Sequence, residues 1–209
     1  YLGLSDSREL LRQKGSFLIG NREAFVKHGL MVAAIDAPSG VSDLRRTYRM
    51  SEQHSQDIEA VVWELKKRAI APVWLIGHSR GTYSAANGAI RLKELVSGLI
   101  LASTVTKARE KYESYKTHPN GVMSMKLATV KVPVMVLANK TDSCASTPGS
   151  NAENLAKAFT GTAKVAVKIF DGESEPKQDN CKEDSQHHFF GFHDKVISSI
   201  AEFIKANAR

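Results

Sequence analysis

The stretch V-W-L-I-G-H-S-R-G-T, residues 73–82, constrains this chain more than any other. Val73, Trp74, Leu75 and Ile76 form an apolar run that leads straight into Gly77-His78-Ser79-Arg80-Gly81, and residues 82–92 then read as a helix. The order is strand, sharp turn, helix, with a serine at the apex. It matches G-x-S-x-G, a turn in which the serine backbone is held in strain so that its hydroxyl stands clear of the sheet. Glycine is expected two residues before and two residues after the serine, because a Cβ at either place would crowd the turn. An incidental Gly/Ser turn is the bland alternative. The strand run and helix on either side argue for a nucleophilic Ser79.

The remaining apolar runs extend the pattern. Residues 30–35 (L-M-V-A-A-I) read as a buried parallel strand ending in the loop D-A-P-S-G, and 96–103, 132–138 and 163–170 read as further strands. Helices are expected at 6–14, with Ser5 or Asp6 as cap, at 21–28 with Asn21 as cap, at 51–68, at 80–92, at 152–159 and at 191–207. Residues 39–51 and 172–186 read as polar loops, and 106–128 shows no clear period. Strand and helix alternate throughout, which predicts a mostly parallel α/β sheet with helices on both faces. Functional groups in such a sheet gather beyond the C-terminal ends of the strands.

At 209 residues the chain is expected to form one domain, residues 1–209. Its net charge of +7 could attract nucleic acid, but the Lys and Arg are scattered and aromatics make up only 7%, without the basic, aromatic-interleaved patch such binding needs. No apolar run approaches the roughly 18–20 residues that would span a membrane. The chain opens on Tyr1 rather than Met, so something upstream is expected to have been removed, and no charged-then-apolar leader is visible in what remains. Oligomeric state has no signature in the sequence.

A serine needs a base, and the base an orienting acid. Along an elbow-type chain the order is serine, acid, histidine. Asp142 follows the 132–138 strand by the turn Asn139-Lys140-Thr141 and is the candidate acid; Asp171 is next. Asp36 comes too early and is expected to brace its own loop. Asn139-Lys140-Thr141 is also a glycosylation sequon, discounted because it falls in the turn assigned to the site. His187 and His188 lie on the loop before the last helix and are the candidate bases; His193 is placed in that helix, at the surface. The His187–His188 pair with Asp184 nearby is too thin a set for a metal, so no metal and no cofactor is expected. The Arg80 N–H is the expected oxyanion donor. A second donor normally follows an early strand, and no glycine-rich loop of that kind is present. Met123, Met125 and Leu127 could line a pocket rim, though core packing suits them better.

With these residues in place the chain resembles the α/β-hydrolase superfamily over nearly its whole length. More narrowly it is similar to small bacterial hydrolases distantly related to dienelactone hydrolases. The likeness rests on A-I-D-A-P-S-G, W-L-I-G-H-S-R-G-T-Y-S-A-A-N, T-D-S-C-A-S-T-P and H-H-F-F-G-F-H-D-K-V. In that group the closing histidine lies four residues before a helix-opening glycine, which points to His187 over His188; His188 stands where glycine is usual. The resemblance implies a cysteine after the acid turn and another before the histidine, here Cys144 and Cys181. If bridged, they would tie the acid loop to the base loop and imply an oxidising compartment, periplasmic or secreted. Two free thiols in a cytoplasmic enzyme is the alternative. The group also carries a strand and a G-G-x-G-like loop ahead of the segment matching Leu2, so the chain is expected to be N-terminally truncated, its remainder cleaved or a separate polypeptide. The implied activity is that of a serine esterase on small-molecule esters, with a short polar insert in place of a lid. A lactonase, thioesterase or acyltransferase on the same triad, and a weakly active or inactive hydrolase-fold binding module, are the alternatives.

Overall fold

Four of the apolar runs form strands: β1 (Trp74–His78), β2 (Gly98–Ala102), β3 (Val134–Asn139) and β4 (Val165–Phe170). All are parallel, and they lie in the order β1-β2-β3-β4. The structure, a computed structural model, describes residues 16–38, 41, 44–172 and 181–208. Between and around the strands lie α1 (Phe17–Gly20), α2 (Arg22–Lys27), α3 (Arg46–Arg49), α4 (Glu52–Arg68), α5 (Gly81–Leu92), α6 (Ala152–Lys157) and α7 (His193–Asn207). The expected helix at 6–14 and parts of the loops at 39–51 and 172–186 lie outside the described residues.

The two-residue period of the strands divides the core. Leu99, Leu101, Val134 and Val136 face one side, against Ile58 and Val62 of α4, Tyr83, Ala86 and Ala89 of α5, and Leu155 of α6. Ile100, Ala102, Met135 and Leu137 face the other, against Phe17, Phe25 and the apolar stripe Val196, Ile197, Ile200 and Ile204 of α7. Both faces of β2 and β3 are therefore dry, which is why these strands read as unbroken apolar runs. The alanines of α5 let it lie close to β1 and β2. The Ser51 side chain accepts a hydrogen bond from the His54 N–H at 3.1 Å and starts α4, and Lys66, Lys67 and Arg68 favour its C-terminal end. Met123 and Met125 pack against the core and Leu127 is buried within it, so the 106–128 insert folds as short 3₁₀ turns over the sheet.

One expected strand does not form. Residues 30–35 carry no secondary structure, and Met31, Val32 and Ile35 are 64%, 41% and 41% exposed. The run is apolar enough for a buried strand but lacks a ladder partner: β1 is the edge of the described sheet, and a cavity of about 1140 Å³ separates it from this segment. An extended run without hydrogen-bonding neighbours on either side has neither a ladder nor a covered face to hold it.

Candidate active site

Ser79 is the residue after β1, with φ of +52°. This left-handed conformation is unusual for serine and costs on the order of 1 kcal/mol, recovered from the packing around it. The turn is held by the Ser79 N–H donating to the Ala102 carbonyl at 3.1 Å and the Thr82 N–H donating to the Ser79 carbonyl at 3.0 Å. The two motif glycines have different roles. A Cβ on Gly77 would stand 2.6 Å from the Gly81 carbonyl oxygen and 2.7 Å from the Thr82 Cα, so only glycine fits. A Cβ on Gly81 would meet nothing within 4 Å. The crowding expected at both holds at Gly77 alone, because Gly81 already lies in the first turn of α5 and its Cβ would point away. Gly77→Ala is therefore expected to cost about 1–3 kcal/mol in urea unfolding, and Gly81→Ala to leave stability unchanged or raise it by up to about 1 kcal/mol. Arg80 is the N-cap of α5, and among the described residues its backbone N–H makes no backbone hydrogen bond.

Asp142 and His187 come together from 45 residues apart, their side chains 1% and 0% exposed. The His187 Nδ1–H donates to Asp142 Oδ2 at 3.0 Å, and lies 3.0 Å from the Thr147 hydroxyl oxygen. That hydroxyl donates to Asp142 Oδ2 at 2.8 Å, and the Cys144 N–H donates to Oδ1 at 2.8 Å. Three donors thus satisfy a buried carboxylate and fix its plane. With Nδ1 protonated, the lone pair of His187 is at Nε2, which is buried and without a hydrogen-bond partner. The Cys144–Cys181 disulfide, with Cα atoms 4.7 Å apart, ties the loop carrying Asp142 to the segment entering the turn that carries His187.

The neighbouring histidines are committed elsewhere. His188 Nδ1 accepts the Phe17 N–H at 3.1 Å, and the Cys181 backbone bonds the same ring. His193 opens α7, half-buried rather than at the surface, with Nε2 donating to the His188 carbonyl at 2.9 Å. His78 Nε2 donates to the His187 carbonyl at 3.0 Å. Nitrogens of His78, His187 and His188 lie within 4.8 Å of one another, as metal ligands would. His78 Nε2, His187 Nδ1 and His188 Nδ1 are each held by a protein hydrogen bond, while His187 Nε2 has no partner. The other near-ligand set, Asp142, Cys144 and His187, includes a sulfur consumed in the disulfide.

Burial pushes His188 down to about 4 and His78 well below the ordinary histidine value. Both are neutral in the folded chain at a pH where the unfolded chain takes up protons. Stability from them is complete above about pH 6.5 and is lost as pH falls toward 4. His188 alone is expected to cost about 2 kcal/mol between pH 6.5 and 5, seen as a falling urea midpoint.

The remaining candidates fall outside the cluster. Asp171 pairs with Lys140 in solvent. Asp36 accepts the Ala37 N–H and braces its own loop. Asn139 is fully buried, its amide nitrogen donating to both oxygens of Gln186, so the sequon is closed to a glycan. No hydrogen bond joins Ser79 to His187; Ser79 is linked to it through its neighbour His78, whose ring centroid lies 4.9 Å from that of His187. Ser79 and Arg80 open onto one end of the large cavity, whose walls include Arg49, His54, Ser84 and Met31.

One arrangement was not anticipated from the sequence. Ser84 Oγ lies 2.9 Å from His54 Nε2, and His54 Nδ1 lies 3.5 Å from Asp57. These residue types repeat the serine–acid–histidine order in reverse along the chain, but the last distance is too long for a hydrogen bond. Ser84 sits inside α5, where no free backbone N–H adjoins it, and Arg49 donates to its oxygen at 2.9 Å. The set ties α3 and α4 to α5.

A sequence profile of the family described as serine aminopeptidase, S33, matches residues 21–172. No curated protein matches significantly. An esterase of Pyrococcus furiosus is similar over 91% of this chain and 76% of its own, at 14% identity and TM-score 0.59. A monoacylglycerol lipase of Paleococcus ferrophilus is similar over 88% and 87%, at 13% identity and TM-score 0.60. A cold-adapted esterase from an Arctic intertidal metagenomic library, in a zinc-bound structure, is similar over 93% and 79%, at 14% identity and TM-score 0.57. These likenesses are of fold. The parallel sheet, the serine turn after β1 and a profile match covering residues 21–172 place the chain in the serine aminopeptidase S33 family of the α/β-hydrolase superfamily.

Proposed function

We propose that the chain is a serine hydrolase of small carboxylic esters, acting through an acyl-enzyme. The observation that carries this reading is the buried His187, bound at Nδ1 by Asp142 and open at Nε2, on the loop that packs against the residue preceding Ser79. Ser79 Oγ attacks the ester carbonyl while His187 Nε2 takes its proton. Asp142 holds the tautomer and stabilises the imidazolium. The Arg80 N–H donates to the oxyanion. The C–O bond to the alcohol breaks as His187 returns the proton to the leaving oxygen; water then attacks the acyl-Ser79 with His187 again as base. His188 is unsuited to this role because its ring is held by Phe17 and Cys181. Lactones and thioesters present the same carbonyl and are substrates of the same chemistry. The disulfide supports an oxidising compartment, outside the cytosol. No helix among the described residues is long and apolar enough to cross a membrane.

A binding module on the same fold is the second reading. It is favoured by the site having one oxyanion donor, Arg80, with no second donor identified among the described residues. Mixing the protein with p-nitrophenyl acetate separates the two. An acyl-enzyme gives a burst approaching one p-nitrophenol per chain before a slower steady release. A binding module releases none above buffer, and that result would remove the esterase reading.

A further inference from the structure

The base sits on a short 3₁₀ turn, 186–188. Its internal bonds include those from the His188 and Phe190 N–H groups to the Ser185 carbonyl and from the Phe189 N–H to the Gln186 carbonyl. A loop of this kind leaves an imidazole free to wander unless its backbone is fixed from outside. The sheet does this. Asn139, the last residue of β3, donates to the Gln186 carbonyl at 2.9 Å. The next carbonyl, that of His187 itself, accepts two side-chain donors: His78 Nε2–H at 3.0 Å, from the end of β1, and Ser103 Oγ–H at 2.8 Å, from just past β2. Two donors fill both lone pairs of that oxygen.

We propose that His78 and Ser103 are positioning residues that hold the His187 carbonyl from two neighbouring strand ends and thereby aim Nε2 of the base at the Ser79 turn. The proposal rests on the reading of Ser79, His187 and Asp142 as the catalytic set. Several features single out this pair. His78 is the residue immediately before Ser79, so one dipeptide carries both the nucleophile and a donor to the base, and the two cannot drift apart independently. Its ring also packs on those of His187 and His188, with centroids 4.9 and 4.5 Å away. Because a carbonyl can only accept, the bond fixes His78 as the Nε2–H tautomer. Burial among three other imidazoles, His187, His188 and His193, keeps it neutral. Ser103 is 2% exposed and has φ of +43°, a conformation unusual for serine that places its hydroxyl at this carbonyl. The first x of the elbow motif, on this account, is read by the base loop.

The test uses four variants: His78→Phe, which keeps an aromatic ring and removes the donor; His78→Gln, whose amide reaches about as far as Nε2; Ser103→Gly, which suits the positive φ and removes the hydroxyl; and the His78→Phe/Ser103→Gly double variant. On p-nitrophenyl esters His78→Phe is expected to lower kcat about 10- to 100-fold with KM little changed, since a displacement of about 1 Å has effects of that size. His78→Gln is expected to recover most of the loss, and Ser103→Gly to lose about 10-fold. A folded His78→Phe variant with wild-type kcat, or a His78→Gln variant as impaired as His78→Phe, would overturn the proposal. A second readout needs no activity. The His187 Nδ1 proton, assigned by its absence in His187→Gln, is expected to exchange with water about 10-fold faster or more in Ser103→Gly and faster again in the double variant. Unchanged exchange in both overturns the clamp even if the wild type hydrolyses no ester, and faster exchange supports it in that case too.

Discussion

Replacing Ser79 by alanine is expected to lower kcat/KM for short p-nitrophenyl esters by about ten-thousand-fold or more. Members of a serine triad act as a unit, and losing the nucleophile leaves only what binding and oxyanion donors supply. The change removes one oxygen from a turn whose hydrogen bonds are made by backbone groups, the Ser79 N–H and carbonyl. Folding and urea midpoint are therefore expected to stay close to wild type, which makes the loss chemical rather than structural. Ser84→Ala is the matched control. It removes a serine that also lines the cavity and also touches a histidine, His54. It is expected to retain activity within a few-fold, because Ser84 lies inside a helix with no free N–H beside it. A Ser79→Ala variant that keeps its rate, or a Ser84→Ala variant that loses it, would move the nucleophile away from the elbow.

The second large effect concerns the disulfide. Cys144 and Cys181 are 37 residues apart, and opening a loop of that size returns conformational entropy to the unfolded chain equivalent to about 4 kcal/mol in the chain-entropy account. Reduction, or Cys144→Ser with Cys181→Ser, is expected to lower the urea midpoint accordingly. Activity is expected to fall further than stability requires, because the Cys144 N–H holds Asp142 Oδ1 and Cys181 lies beside the turn that carries His187. The denatured protein should give no reaction with a thiol reagent before reduction and two thiols after it. Two thiols without reductant would contradict the bridge and with it the oxidising compartment.

How much of this could be read from the sequence depends on how local each signal is. The elbow is local: an apolar run, a spaced glycine and a helix start within 20 residues mark Ser79, and its φ of +52° follows from that setting. The order along the chain pointed to Asp142, three residues past β3, and to a histidine on the loop ahead of α7, and the structure brings Asp142 and His187 together. The choice between His187 and His188 was not local. It turns on which ring faces Asp142, and the structure shows the other bound to a backbone N–H 171 residues away. The His187 carbonyl clamp is harder still, since its donors lie 109 and 84 residues off and leave no mark near the acceptor. Residues 30–35 misled for the opposite reason. Apolar composition reports what a segment could bury, and here no described strand stands beside it to bury it. At Gly81 the expected crowding is absent, for only Gly77 is pressed by backbone atoms.

The most direct test of the account is labelling with a fluorophosphonate, followed by peptide mapping of the adduct. Phosphonylation on the Ser79 hydroxyl, lost in Ser79→Ala and retained in Ser84→Ala, is the result expected of a strained serine served by His187. Absence of any adduct on the folded protein, or an adduct on another residue, would contradict it.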